Sequence, residues 1–223
     1  MMNSKIKAVV FDIDDTLYPA EECYEYGRIQ LGLYCKDKFG FFESEFNEYF
    51  SEAKKITKSK LGNVASSHNR FLYVQTLCEL AGINPLVHAL EMYDIYWGAA
   101  IEHLVIYPYV IPLMSKIKSQ DLKIGLLSDL TAHIQFRKIQ KLGIAQYVDA
   151  IVTSEEAGEE KPSDRMFSLI LKKLNVSASE ALMIGDNTKK DILGAQNIGM
   201  NYYHVQRQYL DKIEKDIMEI IDD

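Results

Sequence analysis

Apolar residues fall into two kinds of pattern along the chain. Short, near-continuous runs occur at 6–11 (`IKAVVF`), 122–128 (`LKIGLLS`), 148–154 (`VDAIVTS`), 181–185 (`ALMIG`) and 201–205 (`NYYHV`). Runs of that length, rich in β-branched residues and lacking polar alternation, predict strands covered on both faces. Between the later four lie stretches of helical period at 131–143, ended by Gly143, at 162–175, opened by Pro162, and at 188–199, ended by Gly199. Ser177 and Glu180 match a capping pattern in a short turn before the strand at 181. Strand–helix alternation of this kind predicts an α/β fold with a doubly wound, parallel, five-stranded Rossmann-like core.

Residues 20–104 break the rhythm. They offer no strand pattern but four amphipathic stretches, at about 21–39, 43–60, 66–82 and 85–103, separated by `KFGFF`, `KLGNV` and `GINP`. This predicts an inserted helical cap domain over 20–104, between a core made of 1–19 and 105–223. `YPYV` at 107–110 reads as the return linker, with Pro108 opening a helix to about 120. At the C-terminal end, Leu210, Ile213, Ile217 and Ile220 recur at helical spacing, as expected of a helix covering the sheet or, less simply, of a dimer contact; monomer and homodimer both stay open.

Composition narrows the function classes. The 223 residues are 48% hydrophobic with a net charge of −7 and no basic run, which argues against a nucleic-acid-binding surface. Cys23, Cys35 and Cys78 lack metal-ligand spacing and read as reduced thiols, so a cytoplasmic location is expected. The first apolar run is short and ends in acids, unlike a secretory segment, and no run approaches a membrane span. Neither export nor membrane anchoring is expected.

The chemistry gathers at strand ends, where open α/β sheets bind ligands. The first predicted strand ends in Asp12, Asp14, Asp15 and Thr16, the second in Ser128 and Asp129, and the fourth in Gly185 and Asp186, with Asp191 five positions on. `EEAGEEKP` after the third delivers Lys161 before a helix. In an extended chain Asp12 and Asp14 would lie on one face about 6–7 Å apart. One carboxylate could attack a phosphoryl group while the other serves the leaving oxygen. Such crowding of acids calls for a cation, and hard oxygen donors suit Mg²⁺. Asp186 is placed to complete such a site, Lys161 to offset charge, and Ser128 to hold phosphate oxygens.

`DIDDT`, `LLSD`, `EEKP` and `GDNTKKD`, in that order and followed by `ILGAQNIGM`, resemble the four motifs of the haloacid dehalogenase-like superfamily, in its C1-capped, phosphatase-type form. The resemblance implies Asp12 as nucleophile and metal ligand. Asp14 would be the general acid and base, with its main-chain carbonyl on the metal. Asp186 would be a further Mg²⁺ ligand, Asp191 a supporting acid for Lys161 or a metal-bound water, and Ser128 and Lys161 the phosphate-binding hydroxyl and ammonium. Thr16 would join them as a phosphate-binding residue, its hydroxyl also steadying the Asp14 loop. Asp14 stands where true dehalogenases lack an acid, which favours a phosphomonoester hydrolase working through an aspartyl phosphate. Asp129 departs from the Asn found in many relatives, and is expected to turn away toward a cap or solvent.

The implied substrate is a small phosphate ester: a sugar phosphate, a phosphoglycolate-type acid or a nucleoside monophosphate. A phosphomutase would use the same core. A non-catalytic phospho-signalling or binding module is a different class, disfavoured by the presence of Asp12, Asp14, Lys161 and Asp186 together. Arg28, Lys60, His68, Asn69 and Arg70 could contact substrate or form a solvated helix face, while Tyr24, Tyr26, Tyr34, Tyr73, Tyr93 and Tyr96 read as cap core. His88, His103, His133 and His204 read as surface or core, and Asp15 as a loop cap or solvated acid.

Overall fold

The computed structural model describes residues 5–222. It comprises two compact units, Met1–Pro19 with Val105–Asp223, and Ala20–Leu104.

The first unit is built on a parallel sheet of β1 (Ala8–Phe11), β2 (Lys123–Ser128), β3 (Ala150–Thr153), β4 (Ala181–Gly185) and β5 (Asn201–His204), in the order β3-β2-β1-β4-β5. β1 and β4 are buried along their whole length, as their unbroken apolar runs require, whereas the edge strand β5 alternates less cleanly and stays partly exposed. Register does the positioning. Phe11 pairs with Leu126 on one side and Ile184 on the other, so the residues just beyond each strand end meet at one rim.

The second unit holds α1 (Ala20–Phe39), α2 (Glu43–Leu61), α3 (Arg70–Leu80) and α4 (Pro85–Glu102). The expected helix at 66–82 is divided: a 3₁₀ turn at Ala65–His68 precedes Asn69, whose side chain accepts the Phe71 N–H and starts α3. Asn84 caps α4 in the same way, with Pro85 in the first turn, where its missing N–H removes nothing. Buried Leu31, Phe46, Tyr73, Val74, Leu77, Met92 and Trp97 form the interior of this unit.

Around the sheet lie α5 (Val110–Ser119), α6 (Ala132–Leu142), α7 (Ser154–Ala157), α8 (Asp164–Leu174), α9 (Leu193–Asn197) and α10 (Ile213–Asp222). Several boundaries differ from the sequence expectation. Pro108 and Pro162 lie before their helices: α5 begins at Val110, and α8 is capped by Ser163, whose hydroxyl accepts from Arg165 N–H. Residues Thr188–Ile192 form a π-helical turn before α9. In α10 the buried positions are Ile213, Ile217 and Ile221; Ile220 is exposed and Leu210 precedes the helix, so the inward stripe is shifted by one residue at its end. Among the described residues, no helix is long and apolar enough to cross a membrane.

Candidate active site

Asp12 follows the last residue of the central strand, and its N–H donates to the Ile184 carbonyl of β4 (2.9 Å). The chain then leaves extended geometry. Asp14 makes an isolated bridge with Tyr18, and Asp15 takes a left-handed φ of 63°. The expected alternation of Asp12 and Asp14 along one strand therefore does not apply; a tight loop sets their placement. Asp15 stays partly exposed and pairs with Arg207. The return segment fastens this loop: Tyr109 Oη donates to the Thr16 carbonyl, and Tyr107 N–H to that of Leu17 (2.9 Å). What the sequence reads as a linker is a clamp.

Lys161 is the hub. Its buried ammonium donates to Asp12 Oδ1 (2.5 Å), Asp191 Oδ1 (2.7 Å) and the Leu127 carbonyl at the end of β2 (3.0 Å). Burial alone would lower its pKa, but the carboxylates of Asp12, Asp191 and Asp129 outweigh that and hold it well above the usual lysine range. Burial pushes Asp12 upward, helped by Asp191 and Asp14 and opposed by Lys161. Asp186, at the end of β4, is pushed up to about 6 by burial and by the charges of Asp191 and Asp15.

One carboxylate oxygen from each of Asp12, Asp186 and Asp191 lies within 4.8 Å of the others. Three hard oxygen donors at that spacing suit a small divalent cation. Asp191 is the least available of the three, because Lys161 takes Oδ1 and the Asn187 N–H takes Oδ2 (3.0 Å). That leaves Asp12 and Asp186 as the carboxylates suited to a metal, with Asp191 as their brace.

Thr16 is buried, and its hydroxyl is committed to the Asp186 loop: it accepts from the Asp186 N–H (3.1 Å) and donates to Asp186 Oδ1 (3.4 Å). This is a bracing position and not a phosphate-facing one, which corrects its assignment as a phosphate ligand. Ser128 lies at the end of β2, where its hydroxyl accepts from Gln135 Nε2 (2.7 Å). Asp129 does not turn away. Its Oδ1 accepts the Lys161 N–H (2.9 Å) and its Oδ2 the Lys190 ammonium (2.7 Å), so the extra anion anchors the very loop that delivers Lys161. The following residue, Leu130, has a φ of 131°; Ser154 Oγ accepts its N–H (2.9 Å) and donates to its carbonyl (3.4 Å). Such a backbone persists where its surroundings over-determine it.

Sequence reasoning did not single out Tyr18, Gln135 or Lys138, and it left His204 to surface or core. His204 Nε2 donates to the Asp186 carbonyl (2.8 Å). Gln135 and Lys138 are fully buried on α6 beside Ile134, Ile139 and Leu142. A readable signal was there: a lysine and a glutamine stand at the helical spacing of the apolar face.

In the helical unit Arg70 sits against the rings of Tyr24, Tyr73, Tyr96 and Trp97, 4.7–5.7 Å from their centroids, and donates to Tyr96 Oη and the His68 carbonyl. Arg28 pairs with Glu25 and Asn47, and Asn69 is a helix cap. Buried Tyr73 and Tyr96 belong to the unit's core, whereas Tyr26 is exposed and stacks on His103.

A family model for haloacid dehalogenase-like hydrolases matches residues 6–199, spanning the four strand-end clusters. The chain belongs to this family. Among curated relatives, a ribulose-1,5-bisphosphate 5-phosphatase of Halopiger xanaduensis is 37% identical over 86% of this chain and 82% of that protein. A glyceraldehyde 3-phosphate phosphatase of Methanopyrus kandleri is 32% identical over 91% and 84%. In fold the chain is similar to the putative hydrolase YfnB of Bacillus subtilis, solved bound to magnesium, with a TM-score of 0.72, 16% identity and coverage of 99% and 100%. This haloacid dehalogenase-like hydrolase is thus an enzyme of the phosphatase type, acting on phosphoric monoesters.

Proposed function

We propose that the protein hydrolyses a small sugar phosphate through an aspartyl phosphate on Asp12. The observation that supports this most directly is the Lys161 ammonium bonded to both Asp12 and Asp191 at the rim of the sheet. A carboxylate nucleophile needs its charge held in place yet must remain able to attack, and a buried cation beside it does both.

Asp12 attacks phosphorus as the ester oxygen leaves, and Asp14 gives that oxygen a proton. Asp14 then takes a proton from the water that attacks the phosphoaspartate, which returns Asp12 and releases inorganic phosphate. Lys161 and Ser128 hold the phosphoryl oxygens, while Asp191 and Asp129 keep Lys161 in register. A divalent ion such as Mg²⁺, held by Asp12, Asp186 and the Asp14 carbonyl, would supply the positive charge that lets a dianionic ester approach.

The relatives that act on ribulose 1,5-bisphosphate and glyceraldehyde 3-phosphate favour sugar phosphates over nucleoside monophosphates or phosphoglycolate-type acids. Phosphate release from all these classes, with Mg²⁺ or with chelator, tests the reading. Metal-dependent release greatest for a sugar phosphate is expected. Preference for a nucleotide would refute the substrate class, and no release from any ester would refute the hydrolase.

A further inference from the structure

The interior of α6 contains a charge that the reaction above does not use. Lys138 is 1% exposed, on a helix face shared with Ile134, Gln135, Ile139 and Leu142. Burying an ammonium without compensation is strongly unfavourable, so its surroundings indicate why it is there. Its Nζ lies 2.8 Å from Asp14 Oδ1 and 5.7 Å from the centre of the Tyr18 ring. Tyr18 is fully buried, and its hydroxyl donates to the same Oδ1 at 2.5 Å. Two donors from different elements, one in the loop and one in α6, converge on a single oxygen of a single carboxylate.

A carboxylate oxygen has two in-plane lone pairs, and two donors occupy them. We infer that Lys138 and Tyr18 are positioning residues that hold the Asp14 carboxyl in place for proton transfer. The inference rests on the proposed acid–base role of Asp14. In the first step the Asp14 carboxyl proton passes to the ester oxygen as its bond to phosphorus breaks and the Asp12–phosphorus bond forms. In the second, the Asp14 carboxylate takes a proton from water as the water oxygen bonds phosphorus and the Asp12–phosphorus bond breaks. Net, ester and water give alcohol and phosphate.

Leaving-group dependence separates positioning from mere support. An aryl phosphate carries a leaving group that departs without protonation, so its first step does not need the Asp14 proton, whereas the second step needs Asp14 as a base. Lys138→Met removes the charge at similar volume, and Tyr18→Phe removes only a hydroxyl. With Mg²⁺ present, rapid-quench assays of either variant should show a burst of aryl alcohol equal to the enzyme concentration, followed by slow turnover. An unactivated sugar phosphate should show no burst. Steady-state kcat should fall about tenfold to a hundredfold, part of the roughly 10²–10⁴ that positioned proton transfer supplies; KM should fall with it for the aryl phosphate, whose phosphoaspartate accumulates, and change little for the sugar phosphate. Wild-type kinetics in both variants, or a burst that shrinks in proportion to turnover, would overturn the inference. A wild-type enzyme that releases nothing from either ester would overturn the proposed hydrolysis, and this inference with it.

Discussion

The Asp191 carboxylate occupies the space where a side chain at Gly185 would stand: a Cβ on Gly185 would lie 2.4 Å from Asp191 Oδ2. The last residue of β4 is therefore tied to the brace of Lys161. Gly185→Ala should displace Asp191, loosen Lys161 and lower stability by about 1–3 kcal/mol through overpacking. Urea midpoints and phosphate release check it. Full activity would show that Asp191 is not required where it stands.

Asp12→Asn keeps the volume of the proposed nucleophile while removing its negative charge. Lys161 keeps its bond to Asp191, so the fold should survive. Turnover should drop by about 10⁴-fold or more, as when other enzymes lose a nucleophile. Circular dichroism and a single-turnover assay read the two effects separately, and near-normal turnover would exclude a phosphoaspartate on Asp12.

Asp186, pushed up to about 6, keeps a proton that the unfolded chain has already lost. Between the unfolded carboxyl pKa near 3.9 and about 6 the native state binds more protons, so metal-free stability falls as pH rises through that window. A metal ligand must shed that proton. Mg²⁺ should raise the melting temperature clearly at about pH 7.5 and much less at about pH 5, where it competes with the proton. Asp186→Asn should abolish the rise. Equal shifts at both pH values would remove Asp186 from the metal site.

Lys190 bridges Asp129 Oδ2 (2.7 Å) and Glu160 Oε2 (3.2 Å), flanking the segment that delivers Lys161. Lys190→Met would leave two carboxylates facing each other, one of them buried. A loss of about 1–3 kcal/mol is expected, less than for a fully buried pair because Lys190 is partly exposed. Since Asp129 also accepts the Lys161 N–H, kcat should fall with stability. A variant that melts earlier but turns over normally would make this contact purely structural.

The sequence by itself determined the elements and the inventory of acids. Unbroken apolar runs specify the strands, buried in full at 8–11 and 181–185, and the helical period of 20–104 marks an insertion, because both are local properties of alternation and period. Asp12, Ser128 and Asp186 were legible as candidates because each stands at the end of a strand, and Lys161 because it lies between the third strand and the helix after it. Only the tertiary structure decided how they meet. The order β3-β2-β1-β4-β5 puts β1 between β2 and β4, so residues 12, 128 and 186 share one rim across more than a hundred positions of chain. The partners of Asp129, the bracing role of Thr16, the clamp of Tyr109 on the Thr16 carbonyl and the reach of Lys138 to Asp14 depend on loop shape and helix docking. No periodicity encodes them. A charged residue on an apolar helix face announces that it must be paired, but which acid pairs it is fixed only when the helix lands on the sheet.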